Sequence, residues 1–129
     1  FFYGLFMDSS ILGDSGILAG NPRPAHVNGY ALRIGHRATL VRDAGGRAYG
    51  MLYTLTPGDF DTLYSAPGLE EYRPETVLAH ALNGAEVPAR CYNLARAPEP
   101  GEASPEYAAK LRATLGKLGF PQAYIESVS

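Results

Sequence analysis

The sequence predicts an α+β fold built on a mainly antiparallel sheet or small barrel. Apolar and polar residues alternate in several segments, which is the spacing of β-strands. Asn83-Gly84 separates two of these segments and is a strong hairpin signal. Near the end of the chain, apolar residues recur at the spacing of an amphipathic helix, at Tyr107, Leu111, Leu115 and Leu118.

The N-terminal part is predicted to begin with a strand and then to lose regular structure. Residues 1–5 are apolar and fit one short strand, and residues 7–12 fit one helical turn capped by Asp8 or Ser9. Residues 13–24 contain three glycines and two prolines. This segment is therefore expected to be a loop.

Three short strands are predicted next. Alternating apolar residues place them at residues 30–35, 38–42 and 48–55. Aspartate and two glycines at residues 43–46 predict a turn between the second and the third strand.

A helix, a hairpin and a last helix complete the prediction. The first helix is expected to begin at Thr56-Pro57, because threonine caps helices and proline suits the first helical position, and to end near Pro67-Gly68. Residues 76–82 and 85–94 are the hairpin strands, and both residues of the Asn-Gly turn are expected to take positive φ. Ser104-Pro105 opens the last helix by the same capping logic.

Length and composition indicate one domain. The 129 residues are 46% hydrophobic and 19% charged, which is ordinary for a globular chain. A loose segment at residues 97–102 is expected to separate a strand-rich body, residues 1–95, from a helical tail, residues 104–129. The sequence begins with Phe1 instead of methionine, so a few N-terminal residues are expected to be missing.

Charge and cysteine content exclude several classes of protein. A net charge of −2 lacks the basic stripe that nucleic acid requires. No run of about 18 apolar residues is present, so no membrane span is expected. The one cysteine, Cys91, cannot form an internal disulfide, which favours the cytoplasm. It shares a strand face with Val87 and Ala89, so a buried, inert thiol is expected.

Motifs for common cofactors, metals and nucleophiles are missing. The glycines of residues 13–20 match neither the dinucleotide nor the Walker spacing, and no cofactor is expected. His26, His36 and His80 are too scattered to predict a metal site. No serine lies in a Gly-x-Ser-x-Gly element.

Two adjacent carboxylates are the remaining candidates for chemistry. Glu70 and Glu71 follow the first predicted helix, near the aromatic residues Phe60, Tyr64 and Tyr72. A carboxyl group in a partly apolar cleft has a raised pKa and can act as a general base. The alternative is that both glutamates are solvated loop residues.

Five motifs follow one another in a characteristic order. They are Phe2-Tyr3-Gly4-Leu5-Phe6-Met7, Gly29-Tyr30-x-Leu32, Gly50-Met51-Leu52-Tyr53-x-Leu55-Thr56, Tyr72-x-Pro74 and Ala89-x-Cys91-Tyr92. This order resembles the gamma-glutamylcyclotransferase-like (AIG2-like) family over residues 1–95. The resemblance implies a small mixed, mainly antiparallel β-barrel with flanking helices.

The resemblance also implies an intramolecular reaction. The α-amine of a γ-glutamyl group attacks its own γ-carbonyl, which releases an amine or amino acid and forms 5-oxoproline. The loop after the first strand would cradle the developing oxyanion with its backbone N–H groups. The substrate-binding residues that the resemblance implies are Tyr3, Gly4, Leu5, Phe6, Met7, Tyr72 and Tyr92.

One position departs from the family pattern. The segment Leu63-Tyr64-Ser65-Ala66-Pro67-Gly68 overlays the family's Leu-Asp-x-x-Glu-Gly. Pro67 therefore takes the position of the family's catalytic glutamate, and proline cannot accept a proton. A general base would have to come from Glu71 or Glu70 in the following loop.

Two functions are compatible with this pattern. The first is an enzyme that releases 5-oxoproline from a γ-glutamyl amine or peptide, with Glu71 or Glu70 as the base. The second is a catalytically silent relative that keeps the pocket and binds a small amino-acid-like ligand or a protein partner.

Overall fold

Four antiparallel strands and four α-helices make up the chain in the computed structural model, which describes all residues from Phe1 to Ser129. The sheet order is β2-β1-β3-β4. In chain order the elements are a 3₁₀ turn at Leu5–Met7, α1 (Ser9–Asp14), β1 (Gly20–Ile34), β2 (Ala38–Thr54), α2 (Pro57–Tyr64), β3 (Tyr72–Ala81), β4 (Glu86–Leu94), α3 (Pro105–Leu118) and α4 (Gln122–Ser127). The expected α+β class, an antiparallel sheet with flanking helices, is confirmed. No helix is long and apolar enough to cross a membrane.

Strands β1 and β2 form one long hairpin where the sequence predicted three short strands. The ladder runs from Gly20 opposite Thr54 to Ile34 opposite Ala38. The loop prediction for residues 13–24 is wrong from Gly20 onward, because that residue begins β1. The turn predicted at residues 43–46 is also wrong. These residues form a bulge inside β2, and bulges and turns both favour glycine and aspartate because both need an irregular backbone.

The N-terminal segment makes a single β-bridge instead of the strand predicted for residues 1–5. Phe2 and Met51 exchange two backbone hydrogen bonds of 2.9 Å. Gly50 permits this close approach, since a Cβ atom there would lie 2.3 Å from the carbonyl oxygen of Phe2. The chain then tightens into the 3₁₀ turn that leads to α1.

Side-chain caps start three helices where the sequence predicts them. Asp8 accepts a hydrogen bond from the Ser10 N–H at the start of α1. Thr56 and Asp59 form a capping box at α2, and Ser104 caps α3. Such caps satisfy backbone donors that have no acceptor inside the helix. The helix starts are therefore fixed by local sequence.

The hairpin predicted at Asn83-Gly84 is present between β3 and β4. Its turn differs in one respect, because Gly84 has a φ of 89° and Asn83 has an ordinary negative φ. The Gly84 N–H bonds the carbonyl of Ala81, and the Ala81 N–H bonds that of Ala85. This is the three-residue loop that ends in a left-handed glycine, not the two-residue turn that was expected.

The apolar residues form two cores on opposite faces of the sheet. The inner core lies within the curve of the sheet and includes Tyr3, Val27, Leu40 and Cys91. The outer core lies between the sheet and the helices and contains Phe2, Met7, Leu12, Met51, Leu63, Leu111 and Leu115. Cys91 is fully buried as expected, and burial raises the pKa of its thiol to about 12.

The two outer strands, β2 and β4, approach each other without pairing their backbones. Side chains of two buried polar residues bridge the gap. The Leu94 N–H donates to Thr39 Oγ1 at 2.9 Å, and the Leu40 N–H donates to Asn93 Oδ1 at 3.2 Å. The sheet is therefore curved but does not close into a hydrogen-bonded barrel, and this seam is held by side chains.

Removing the Asn93 side chain should open this seam. We expect Asn93→Ala to lower the free energy of unfolding by about 1–3 kcal/mol, because the buried Leu40 N–H loses its acceptor. Urea denaturation measures the change. The matched control is Asn28→Ala, which removes an exposed bond to Arg47 and should cost less than about 0.5 kcal/mol. Equal losses in the two variants would contradict a structural role for the seam.

Two histidines that are far apart in the sequence come together on the sheet. His26 and His80 are register partners on β1 and β3, and their rings stack with centroids 5.1 Å apart. Burial lowers the pKa of His26, and the positive charge of Arg47 and the neighbouring His80 act in the same direction. No group of three or more His, Cys, Asp or Glu side chains is arranged to hold a metal ion.

The lowered pKa of His26 should make stability depend on pH. His26 is protonated more readily in the unfolded chain than in the folded chain. The free energy of unfolding therefore keeps its full value above about pH 6.5 and decreases as the pH falls below that value. We expect Tm to decrease between pH 7 and pH 5 in a thermal melt, and to decrease less in His26→Gln. The exposed His36→Gln variant is the control and should keep the full decrease. An unchanged pH dependence in His26→Gln would assign the effect to other groups.

Candidate functional site

A cavity of about 310 Å³ opens where the N-terminal segment meets the seam of the rolled sheet. Its walls come from residues 1–6, the turn between β1 and β2, the end of α2 and the first residue of β3. Twelve of the fifteen lining residues are hydrophobic. This volume is at the lower end of the ~300–1,000 Å³ that is usual for ligand pockets.

Six of the seven predicted binding residues line this cavity. They are Tyr3, Gly4, Leu5, Phe6, Tyr72 and Tyr92. Met7 does not line it. Its side chain is fully buried in the outer core, and its carbonyl accepts a hydrogen bond of 2.6 Å from the Tyr53 hydroxyl. Met7 thus anchors the loop instead of facing a ligand.

The tyrosine hydroxyls of the cavity wall mostly bond the protein backbone. Tyr3 donates to the carbonyl of Tyr92 at 2.7 Å, and Tyr72 donates to that of Ala38. The rings of Tyr64 and Tyr92 stack with centroids 3.8 Å apart. The wall therefore presents ring faces to the cavity more than hydroxyl groups.

These tyrosines are not proton acceptors at neutral pH. Burial raises the pKa of Tyr72 to about 12 and raises those of Tyr3, Tyr64 and Tyr107 as well. Each hydroxyl keeps its proton across the physiological range. The cavity wall can donate and accept hydrogen bonds, but its tyrosines supply no general base.

The loop at residues 4–6 supplies backbone donors. The Leu5 N–H donates to the Tyr107 hydroxyl at 3.3 Å, whereas the Gly4 and Phe6 N–H groups have no acceptor within the protein. Unpaired N–H groups at a cavity wall are donors for a carbonyl or carboxylate oxygen of a ligand. The cradle that the family resemblance implies for this loop would use such donors.

The two glutamates lie outside the cavity. Glu70 is exposed, and hydrogen bonds from its own N–H and from the Gly68 N–H lower its pKa. The Glu71 side chain is 70% exposed and pairs with Arg37 at 2.7 Å. Pro67 is exposed and does not line the cavity. No aspartate or glutamate contributes to the wall.

Arg37 and His36 carry the basic groups at the cavity. Both belong to the tight turn between β1 and β2. Arg37 Nη1 also donates to the carbonyl of Gly68 at 3.2 Å, which ties this turn to the loop after α2. His36 is largely exposed, and its Nε2 lies 3.8 Å from Glu102 Oε1.

Sequence reasoning missed Arg37, His36 and Tyr107 as cavity residues. A charged turn between strands is typical of solvated surface, and Tyr107 fits one more core position of α3. The only local sign of a basic group at a binding site was the pair of successive basic residues at positions 36–37. Their proximity to the Gly4 loop arises from long-range packing.

Comparisons with solved structures agree on the fold. A structure of a gamma-glutamyl cyclotransferase matches with a TM-score of 0.83 and 17% identity, over 99% of this chain and 83% of its own. This chain has the gamma-glutamyl cyclotransferase fold. An uncharacterised protein from Homo sapiens matches with a TM-score of 0.80 and 18% identity, over 99% of this chain and 83% of its own.

The same fold occurs in YkqA from Bacillus subtilis, with a TM-score of 0.79 and 23% identity, over 98% of this chain and 50% of that protein. No family model and no curated protein matches the sequence. The cyclotransferase fold is therefore retained at low sequence identity.

The contact between Gly4 and Tyr107 holds the loop in place. A Cβ atom at Gly4 would lie 2.5 Å from the Tyr107 hydroxyl oxygen and 3.9 Å from the ring carbon that carries it. We expect Gly4→Ala to lower Tm and Tyr107→Phe to relieve that loss in the double variant, because the clash is with the oxygen alone. Thermal melts of both single variants and the double variant measure this coupling.

Gly13→Ala is the matched control, since a Cβ atom there meets nothing within 4 Å. Its Tm should not fall. Strictly additive losses at Gly4 and Tyr107 would contradict the proposed contact.

Proposed function

We propose that this chain is a member of the gamma-glutamylcyclotransferase-like family whose cavity binds a small γ-glutamyl or amino-acid-like ligand without the family's carboxylate base. The single observation that carries the proposal is the composition of the wall. Unpaired N–H groups at Gly4 and Phe6 and the cation of Arg37 are present, and no carboxylate is. This set suits a ligand with carbonyl or carboxylate oxygens.

The missing base limits the chemistry that this cavity supports. Cyclisation requires a proton to leave the α-ammonium before its nitrogen attacks the γ-carbonyl. The protonated tyrosines of the wall do not take that proton, and Glu70 faces solvent.

The buried, unpaired Cys91 supports a reducing compartment such as the cytoplasm for this protein.

A working cyclotransferase is the second candidate, and the position of Glu71 favours it. Its carboxylate is bonded to Arg37, which itself lines the cavity. His36 lines the cavity too, and histidine is the side chain that most often serves as a general base.

A panel of γ-glutamyl amino acids and amines separates the two candidates. We expect binding by isothermal titration calorimetry and no release of 5-oxoproline by mass spectrometry, because general-base catalysis contributes about 10²–10⁴-fold to such a rate. The variants Glu71→Gln, Glu70→Gln and His36→Gln are assayed beside the wild-type protein.

Turnover by the wild-type protein that one of these variants abolishes would identify a relocated base and a working enzyme. Absence of binding across the whole panel would overturn the family-based ligand class.

A further inference from the structure

The cavity wall is more apolar than a site for a purely polar dipeptide would need to be. Phe6, Ile11 and Leu69 contribute aliphatic and aromatic surface. The hydroxyls of Tyr3 and Tyr72 are turned to backbone carbonyls, so their rings add to this surface. Burial of a ligand's apolar group here stabilises the complex by the area removed from water.

Arg37 is placed to bind one anionic group at the rim of this apolar wall. Its side chain is 36% exposed and lines the cavity, so it borders both the solvent and the apolar wall. One N–H bonds the Gly68 carbonyl and one bonds Glu71. A guanidinium has five N–H groups, so three remain free for a ligand.

Glu71 holds this guanidinium from the solvent side. Its side chain is 70% exposed and does not line the cavity, so this ion pair does not add a carboxylate to the wall to which Arg37 belongs. The pairing fixes the direction of the guanidinium, and the negative charge of Glu71 weakens the attraction of Arg37 for a second carboxylate. Glu71 is thus a positioning residue that orients Arg37 and lowers its affinity for the carboxylate of a ligand.

We infer that the ligand has an aromatic or branched apolar body and one carboxylate, and that Arg37 binds this carboxylate at the cavity rim. The inference rests on the proposed function, since it names the kind of γ-glutamyl compound that fits: a γ-glutamyl amide of an apolar amine. A volume of about 310 Å³ suits a ligand of this size.

Four probes on the wild-type protein test both parts of the inference by calorimetry. γ-Glutamylanilide should bind at least about 10-fold more tightly than γ-glutamylglycine, because burial of an aromatic ring is worth that factor or more. 3-Phenylpropanoate should bind about 10–100-fold more tightly than 3-phenylpropanamide, because a charge-assisted hydrogen bond is lost in the amide.

The outcomes distinguish this inference from the proposed function. Equal binding of the acid and its amide overturns the role of Arg37, and γ-glutamylglycine at least as tight as the anilide overturns the apolar body. Binding of 3-phenylpropanoate with no binding of either γ-glutamyl compound overturns the proposed function and leaves the anchored apolar acid standing. Binding of γ-glutamylglycine alone overturns the inferred apolar acid and is consistent with the proposed function.

Variants locate the anchor. Arg37→Gln should remove the preference for the acid over the amide, whereas Arg33→Gln, an exposed arginine of β1 outside this cavity, should retain it. A thermal melt of each variant confirms that it is folded. A folded Arg37→Gln protein that keeps the full preference overturns the assignment.

Glu71→Gln gives an independent readout that does not depend on loss of function. The amide oxygen still accepts the bond from Arg37, while the competing negative charge is gone. Affinity for 3-phenylpropanoate should therefore rise by a few-fold, roughly 2–10-fold as for a partly exposed charge, and affinity for the amide should not change. A decrease for the acid would overturn the role given to Glu71.

Discussion

Two backbone hydrogen bonds between Phe2 and Met51 fix the N-terminal segment against β2, and the cavity depends on that position. The bridge sends Tyr3 into the inner core and Phe2 into the outer core. The next residues are then placed at the cavity wall, where the Leu5 N–H meets the hydroxyl of Tyr107 from α3. A short N-terminal segment thus connects both cores, the last long helix and the candidate site.

The seam of the rolled sheet provides the opposite wall. Tyr72 begins β3 and Tyr92 lies near the end of β4, so both stand where β2 and β4 approach each other. Thr39 and Asn93 hold these strands together with side-chain bonds in place of a backbone ladder. The polar residues of this seam are buried because their bonds satisfy backbone groups that a regular edge would leave unpaired.

The candidate site combines unpaired backbone N–H groups and the cation of Arg37 with a wall that contains no carboxylate. The carboxylate of Glu71 pairs with Arg37, and Glu71 itself does not line the cavity. Arg37 itself lines the cavity, and only two of its N–H groups are bonded within the protein. The fold shared with a gamma-glutamyl cyclotransferase therefore presents here an apolar cavity with a cationic rim.

Local signals in the sequence determined the helix caps at Asp8, Thr56 and Ser104, the β3–β4 hairpin and the burial of Cys91, because each depends on residues within a few positions. The order of motifs also indicated six of the fifteen residues that line the cavity. Tertiary structure alone decided that residues 43–46 form a bulge, that Met7 is buried and that Arg37 and Tyr107 reach the cavity. Those outcomes depend on pairing and packing between residues far apart in the chain, which a local pattern does not encode.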